Sequence, residues 1–138
     1  MGGFGAAHLG FKYPELFGAV SVMAGALLDA DGMARTADLF KNHFGDNKDY
    51  FTSGDPSTLV RKNADKIRGK VLVRIGVGDR DSLLERDRKY HELLDSLNIR
   101  HDYFTVAGVA HEMQRFYDLL GSGQFAFYET AFKKPGAK

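Results

Sequence analysis

The sequence contains no cysteine, which excludes disulfides, thiolate catalysis and cysteine-based zinc sites. It has no excess of charge of one sign. Its 19 Lys and Arg against 18 Asp and Glu leave a formal net charge of +1, so composition makes no electrostatic case for nucleic acid or an anionic membrane. No apolar run approaches the roughly 20 residues that a membrane span requires. The glycine-rich start has neither the basic residues nor the continuous apolar segment of a secretory signal, and the compartment stays open. Repeats, linkers and low-complexity stretches are missing, and no serine lies in a G-x-S-x-G context. What remains is a chain of 138 residues, 43% hydrophobic and 27% charged, the length and make-up of one small globular domain.

The chain opens MGGFGAAHLGFKYPE. Gly2 to Lys12 reads as a helix of small residues, ended where Tyr13 is held out of the helical region by Pro14. Each early glycine costs about 1 kcal/mol relative to alanine, so close approach to a sheet or another backbone is expected to offset them. Phe17 to Gly25 is nearly continuously apolar, as in a strand covered on both faces. Ala26 to Phe51 reads as polar and irregular, with turns at Asp31-Gly32 and Gly45-Asp46. Asp55-Pro56 marks an N-cap and first helical turn, with the helix running toward Ile67.

Lys70 to Gly78 is the clearest strand, and Ser82-Leu-Leu-Glu85 after it fits a capping box. A helix to about Leu97 follows, with Asn98 as terminator, then a third strand over Asp102 to Val106 and a loop from Gly108 to His111. Glu112 to about Phe132 reads as a final helix loosened at Gly121-Ser-Gly123, before a frayed tail from Lys133. Alternating helices and strands predict an α/β layer architecture with a three-stranded parallel sheet and flanking helices. Three strands are few for such a sheet, so the pattern reads as part of one.

Catalytic groups of open parallel sheets gather at the carboxyl ends of the strands. Gly78-Asp79-Arg80-Asp81 follows the second strand and His111 follows the third. Neighbouring strands lie about 4.8 Å apart, so a carboxylate there can fix one imidazole nitrogen and leave the other as a base. Asp81 and His111 are the candidate pair, and Asp79 is the rival acid. His8, His43, His91 and His101 show no partner pattern and read as surface or helix-packing residues. Ser82 has a sufficient structural role as a cap. Gly3-Phe-Gly5-Ala-Ala-His8 imitates a dinucleotide fingerprint but lacks the third glycine and a preceding strand. Asp79 to Glu85 hints at a calcium loop but has leucine at the sixth position.

The segments MGGFGAAHLGFKYPELFGAVS, GDRDSLLERDRKYHELLDSLNI and VAGVAHEMQRFYD resemble the C-terminal part of serine esterases of the α/β-hydrolase fold. Among these the likeness is to the "Putative esterase" family, with its esterase D-like and feruloyl-esterase-like enzymes. The resemblance places MGG in the half of a G-x-S-M-G-G nucleophile elbow that follows the serine. It places the acid of a Ser-Asp-His triad at Asp81 in Gly78 to Leu84, and the base at His111 in Gly108 to His111. It implies that Met1 supplies a remnant of the oxyanion hole, that Gly2 and Gly3 are elbow-helix glycines, and that the strands are six to eight of a larger sheet. Residues 26–69 become a short cap-like excursion within one domain, 1–138, and part of it helps line the acyl or alcohol pocket. The implied partner is a small-molecule ester, with no nucleic acid, membrane, metal or organic cofactor. The serine's place falls immediately before Met1, so the resemblance predicts an incomplete chain, inactive alone. A competing expectation is a non-catalytic α/β module or a subunit that completes another chain, with self-association through an exposed sheet edge.

Overall fold

The computed structural model describes residues 1–27 and 37–133. Helix α1 (Gly2–Lys12) leads into strand β1 (Ala19–Met23). Four short helices follow: α2 (Ala37–Phe44), α3 (Lys48–Gly54), α4 (Pro56–Lys62) and α5 (Ala64–Ile67). Then come β2 (Leu72–Gly78), α6 (Leu84–Ser96), β3 (Asp102–Val106), α7 (Met113–Leu120) and α8 (Gly123–Phe132). The strands form one parallel sheet in the order β1-β2-β3, with Ala19 opposite Leu72 and Arg74 opposite Asp102.

Strand alternation sorts the side chains into two layers. On one face Val20, Val22, Val73 and Ile75 join Phe11 of α1, Leu59 and Val60 of α4, Ile67 of α5, and Tyr90 and Leu94 of α6 in the main core. On the other face Met23 joins Val109 and Phe116, with Phe104, Val106 and Met113 packed against them. Arg74 also points to this second side. Its guanidinium donates to Ser21 Oγ and the Gln124 carbonyl, and it lies over the rings of Phe127 and Tyr128.

The glycines of α1 are explained by contact. A Cβ on Gly3 would stand 2.6 Å from the Met23 carbonyl oxygen, and one on Gly10 would stand 2.3 Å from Val20 Cγ2. With buried Ala7 between them, Gly3 and Gly10 recur at i, i+4, i+7, and this stripe lets α1 lie directly on β1. Gly2 and Gly5 meet nothing within 4 Å, so close approach explains only part of the glycine content.

Several local expectations need correction. Residues 37–54 are helical over most of their length rather than irregular. Phe40 and Phe51 are buried together, with Phe4 and Phe44 against them, and Asn47 caps α3 by accepting from the Tyr50 N–H. The turn at Gly45-Asp46 is present, both residues having φ of 58°. Asp31-Gly32 and the tail 134–138 lie outside the described residues. The expected helix after Asp55 breaks at Asn63 into α4 and α5, where the Asn63 side-chain amide donates to the Phe11 carbonyl. Asp55 caps α4 by accepting from the N–H groups of Ser57 and Thr58. The capping box at Ser82 does not form. Asp81 takes the Leu83 N–H instead, α6 starts at Leu84 without a side-chain cap, and Glu85 pairs with Arg88.

One core residue is electrostatically costly. Asp87, on α6, is fully buried, and neither carboxylate oxygen has a hydrogen-bond partner by strict geometry. Burial, with the nearby Asp81 charge adding to it, pushes its pKa from 3.8 up to about 7, against a weaker opposing pull from the Gly25 backbone. The folded chain therefore holds this proton where the unfolded chain has lost it, so stability falls as pH rises from about 4 through 7.

Two outcomes are expected in urea unfolding. Gly5→Ala gains about 0.5–1 kcal/mol because helix propensity acts unopposed, while Gly3→Ala and Gly10→Ala lose about 1–3 kcal/mol to overpacking. Asp87→Asn flattens the decline in stability between about pH 4 and pH 7. An unflattened decline would mean that Asp87 is already ionised in the folded chain.

Candidate active site

Two loops meet beyond the carboxyl ends of β2 and β3. Their approach is set by Gly78, where a Cβ would stand 2.1 Å from the Val109 carbonyl oxygen. Only glycine lets the β3 loop cross the end of β2 at this distance. Three hydrogen bonds hold the crossing. The Asp79 N–H donates to the Val106 carbonyl, the Arg80 N–H to the Val109 carbonyl, and the Gly108 N–H to Asp79 Oδ1 at 2.7 Å. Gly108 has φ of 72°, a conformation that turns the chain back toward the β2 loop. Asp79, the rival acid, is thereby a staple between the loops.

Asp81 stands at the centre of the arrangement. Its side chain is 1% exposed and that of His111 is 52% exposed, and His111 Nδ1 lies 2.8 Å from Asp81 Oδ2. Oδ1 of the same carboxylate accepts from the Leu83 N–H at 2.9 Å. Each oxygen thus has its own donor, and the carboxylate cannot turn without breaking one. A carboxylate only accepts, so the proton of this bond is on Nδ1, which leaves Nε2 as the basic nitrogen of neutral His111. Of the two acids the sequence offered, Asp81 is the one joined to His111. Asp87 lies close enough to Asp81 for the two charges to interact, and its retained proton spares Asp81 a second buried negative charge.

His111, but not Asp81, borders a cavity of about 270 Å³ whose lining includes Met1, Gly2, Gly3, Ser21, Met23 and Tyr128. The start of α1 and His111 thus share one cavity. Ser21 also borders it, with its hydroxyl engaged by Arg74. None of the described residues of the 26–69 excursion is in this lining. A larger cavity, about 690 Å³, lies between β2, β3 and α8 and contains neither Asp81 nor His111. Its size is no argument for chemistry, because the paired acid and imidazole are elsewhere.

The remaining histidines divide. His8 Nδ1 is 2.6 Å from the Gly54 carbonyl oxygen, and its ring stacks on Phe4. The side chain of His43 lies outside the described residues. His91 and His101, expected to be unpartnered, are 2.7 Å apart through His91 Nδ1 and His101 Nε2, with Asp95 beside them. The spacing of His91 and Asp95 on one helix is the signal that was available in the sequence.

Comparison with known proteins bears on this geometry. The family model described as "Putative esterase" matches residues 1–134. No curated protein sequence matches the chain. Among solved structures, apo S-formylglutathione hydrolase FrmB from Staphylococcus aureus superposes with a TM-score of 0.65 at 17% identity, over 95% of this chain and 48% of that one. A ferulic acid esterase gives 0.61 at 21% identity, over 87% of this chain and 44% of that one. The substrate-bound fluorophosphonate-binding serine hydrolase FphF of S. aureus gives 0.66 at 17% identity, over 94% and 51%. The chain thus spans about half the length of each. At such identities the superpositions speak for the fold alone: a three-stranded parallel sheet with flanking helices, matching part of an α/β-hydrolase fold. The family match covers nearly the whole chain, and the protein belongs to the Putative esterase family.

Proposed function

We propose that this chain is the acid-and-base half of a serine esterase, completed by a nucleophilic serine carried in the residue before Met1. The observation that supports this reading is the buried Asp81 carboxylate bonded to Nδ1 of half-exposed His111, with His111 and the start of α1 on one cavity. Serine Oγ attacks the ester carbonyl carbon while His111 Nε2 takes its proton. The tetrahedral oxyanion is held by the Met1 N–H, which becomes a peptide donor when a residue precedes it. The intermediate then collapses, the C–O bond to the alcohol breaks, and the alcohol leaves with the proton from His111. Water attacks the acyl-enzyme, gives a proton to His111, and the acid is released as serine recovers its hydrogen.

Asp81 holds the ring tautomer and stabilises the imidazolium that forms between steps. Gly3 lets the elbow helix seat against Met23 and Gly25, which brings Met1 to the cavity, and Gly2 follows it in the same turn. The substrate is a small-molecule ester. The edge of β1 away from β2 is unpaired among the described residues, and it receives the preceding strand of the complete sheet or, in its absence, a second copy of this chain.

Expressed with the coding sequence that precedes Met1, the protein is expected to hydrolyse p-nitrophenyl acetate. His111→Ala and Asp81→Asn each lower kcat by about 10³–10⁴ with the fold intact by circular dichroism. The 138-residue chain alone shows no turnover above solvent. Retention of activity by His111→Ala, or full activity of the isolated chain, would overturn the proposal.

A further inference from the structure

His91, Asp95 and His101 bring their ligand atoms within 4.8 Å of one another. They lie at the other end of the sheet from Asp81 and His111. His101 immediately precedes β3 and His111 lies in the loop after it, and the five residues of β3 span about 16 Å. We propose that these three side chains form a binding site for a divalent transition-metal ion of the zinc type. The site is independent of the esterase reading and plays no part in ester hydrolysis.

Hydrogen-bond accounting gives the first argument. His101 Nδ1 is 2.7 Å from the Ile99 carbonyl oxygen. A carbonyl only accepts, so the proton is on Nδ1 and the lone pair on Nε2. That lone pair meets His91 Nδ1 at 2.7 Å. On its other side His91 Nε2 faces Asp95 Oδ2 at 3.5 Å. His91 is therefore flanked by two acceptors, and a neutral ring can donate to only one of them. The trio calls for one added cation, met by a second proton on His91 or by a metal ion that takes one His91 nitrogen together with the His101 Nε2 lone pair and Asp95, the hydrogen bond between the two rings opening to admit it.

The geometry favours metal in three respects. His91 and Asp95 are one helical turn apart on α6, and their facing atoms, 3.5 Å apart, are near the roughly 3.4 Å that separates two donors on one tetrahedral ion with bonds of about 2.1 Å. His101 donates its second nitrogen to a backbone carbonyl, the arrangement that fixes the tautomer of metal-bound histidines. The ring of His91 is stacked on Tyr103, with centroids 4.5 Å apart and planes at 6°, so the plane of its ring is set in advance. The His91 and Asp95 side chains are 30% and 62% exposed, leaving room for water to complete the shell. Two imidazoles and one carboxylate select zinc, cobalt, nickel or copper over magnesium and calcium. Bound there, the ion ties α6 to the start of β3 across the connection 97–101.

Titration of the 138-residue chain with Co²⁺ is expected to show one ion per chain with a ligand-field absorption spectrum. Zn²⁺ displaces it and raises the thermal midpoint. His91→Ala and His101→Ala each weaken binding by at least about tenfold, and the double variant binds no ion at the site and loses the midpoint shift. Failure of the wild-type chain to bind Co²⁺ at millimolar concentration overturns the proposal. So does unchanged affinity in the double variant, which would place the ion on other groups.

Discussion

The hydrogen bond between Asp81 and His111 is the interaction on which the functional architecture turns. It joins loops from neighbouring strands, one bearing a buried carboxylate and the other a solvent-facing imidazole. Its geometry is inherited from the core. Gly78 admits the Val109 backbone, Asp79 and Arg80 bind the crossing loop, and Leu83 holds the second oxygen of Asp81. Sheet register fixes where each loop begins. Side-chain freedom contributes little, and such restraint is what catalysis by positioned groups requires.

The cost of this arrangement falls on the neighbouring part of α6. A buried carboxylate is tolerated when its oxygens are bonded, as those of Asp81 are. Asp87 has no such bonds and responds by keeping its proton to about pH 7. Burial thus sets the protonation of Asp87, whereas the oxygens of Asp81 are each engaged by a donor. A similar trade appears in α1, where glycine weakens the helix but admits the sheet.

Much of this was legible in the sequence because it is local. The apolar run at Lys70–Gly78, the Asp55-Pro56 start, the positive φ of Asn98 (53°) and the break near Gly121 all have short-range causes. The pairing of Asp81 with His111 was legible because parallel strands place successive loops side by side. Helices α2 and α3 were missed because they are short and polar, and their aromatic residues close on Phe4 from another part of the chain. The capping box failed for a related reason: Asp81, committed to His111, also takes the turn N–H at Leu83, and α6 starts one turn position later. The pairing of His91 with His101 depends on how the 97–101 connection folds back, and spacing alone does not give it.

The central claim, that His111 serves a serine placed just ahead of α1, is most directly tested by a crystal structure. The protein used should include the residues encoded before Met1 and be inactivated with a fluorophosphonate. The account predicts a phosphonylated serine adjoining Met1, with its oxygen within about 3 Å of His111 Nε2 and the Asp81 bond intact. An adduct on any other residue, or a labelled serine beyond reach of His111, would contradict it.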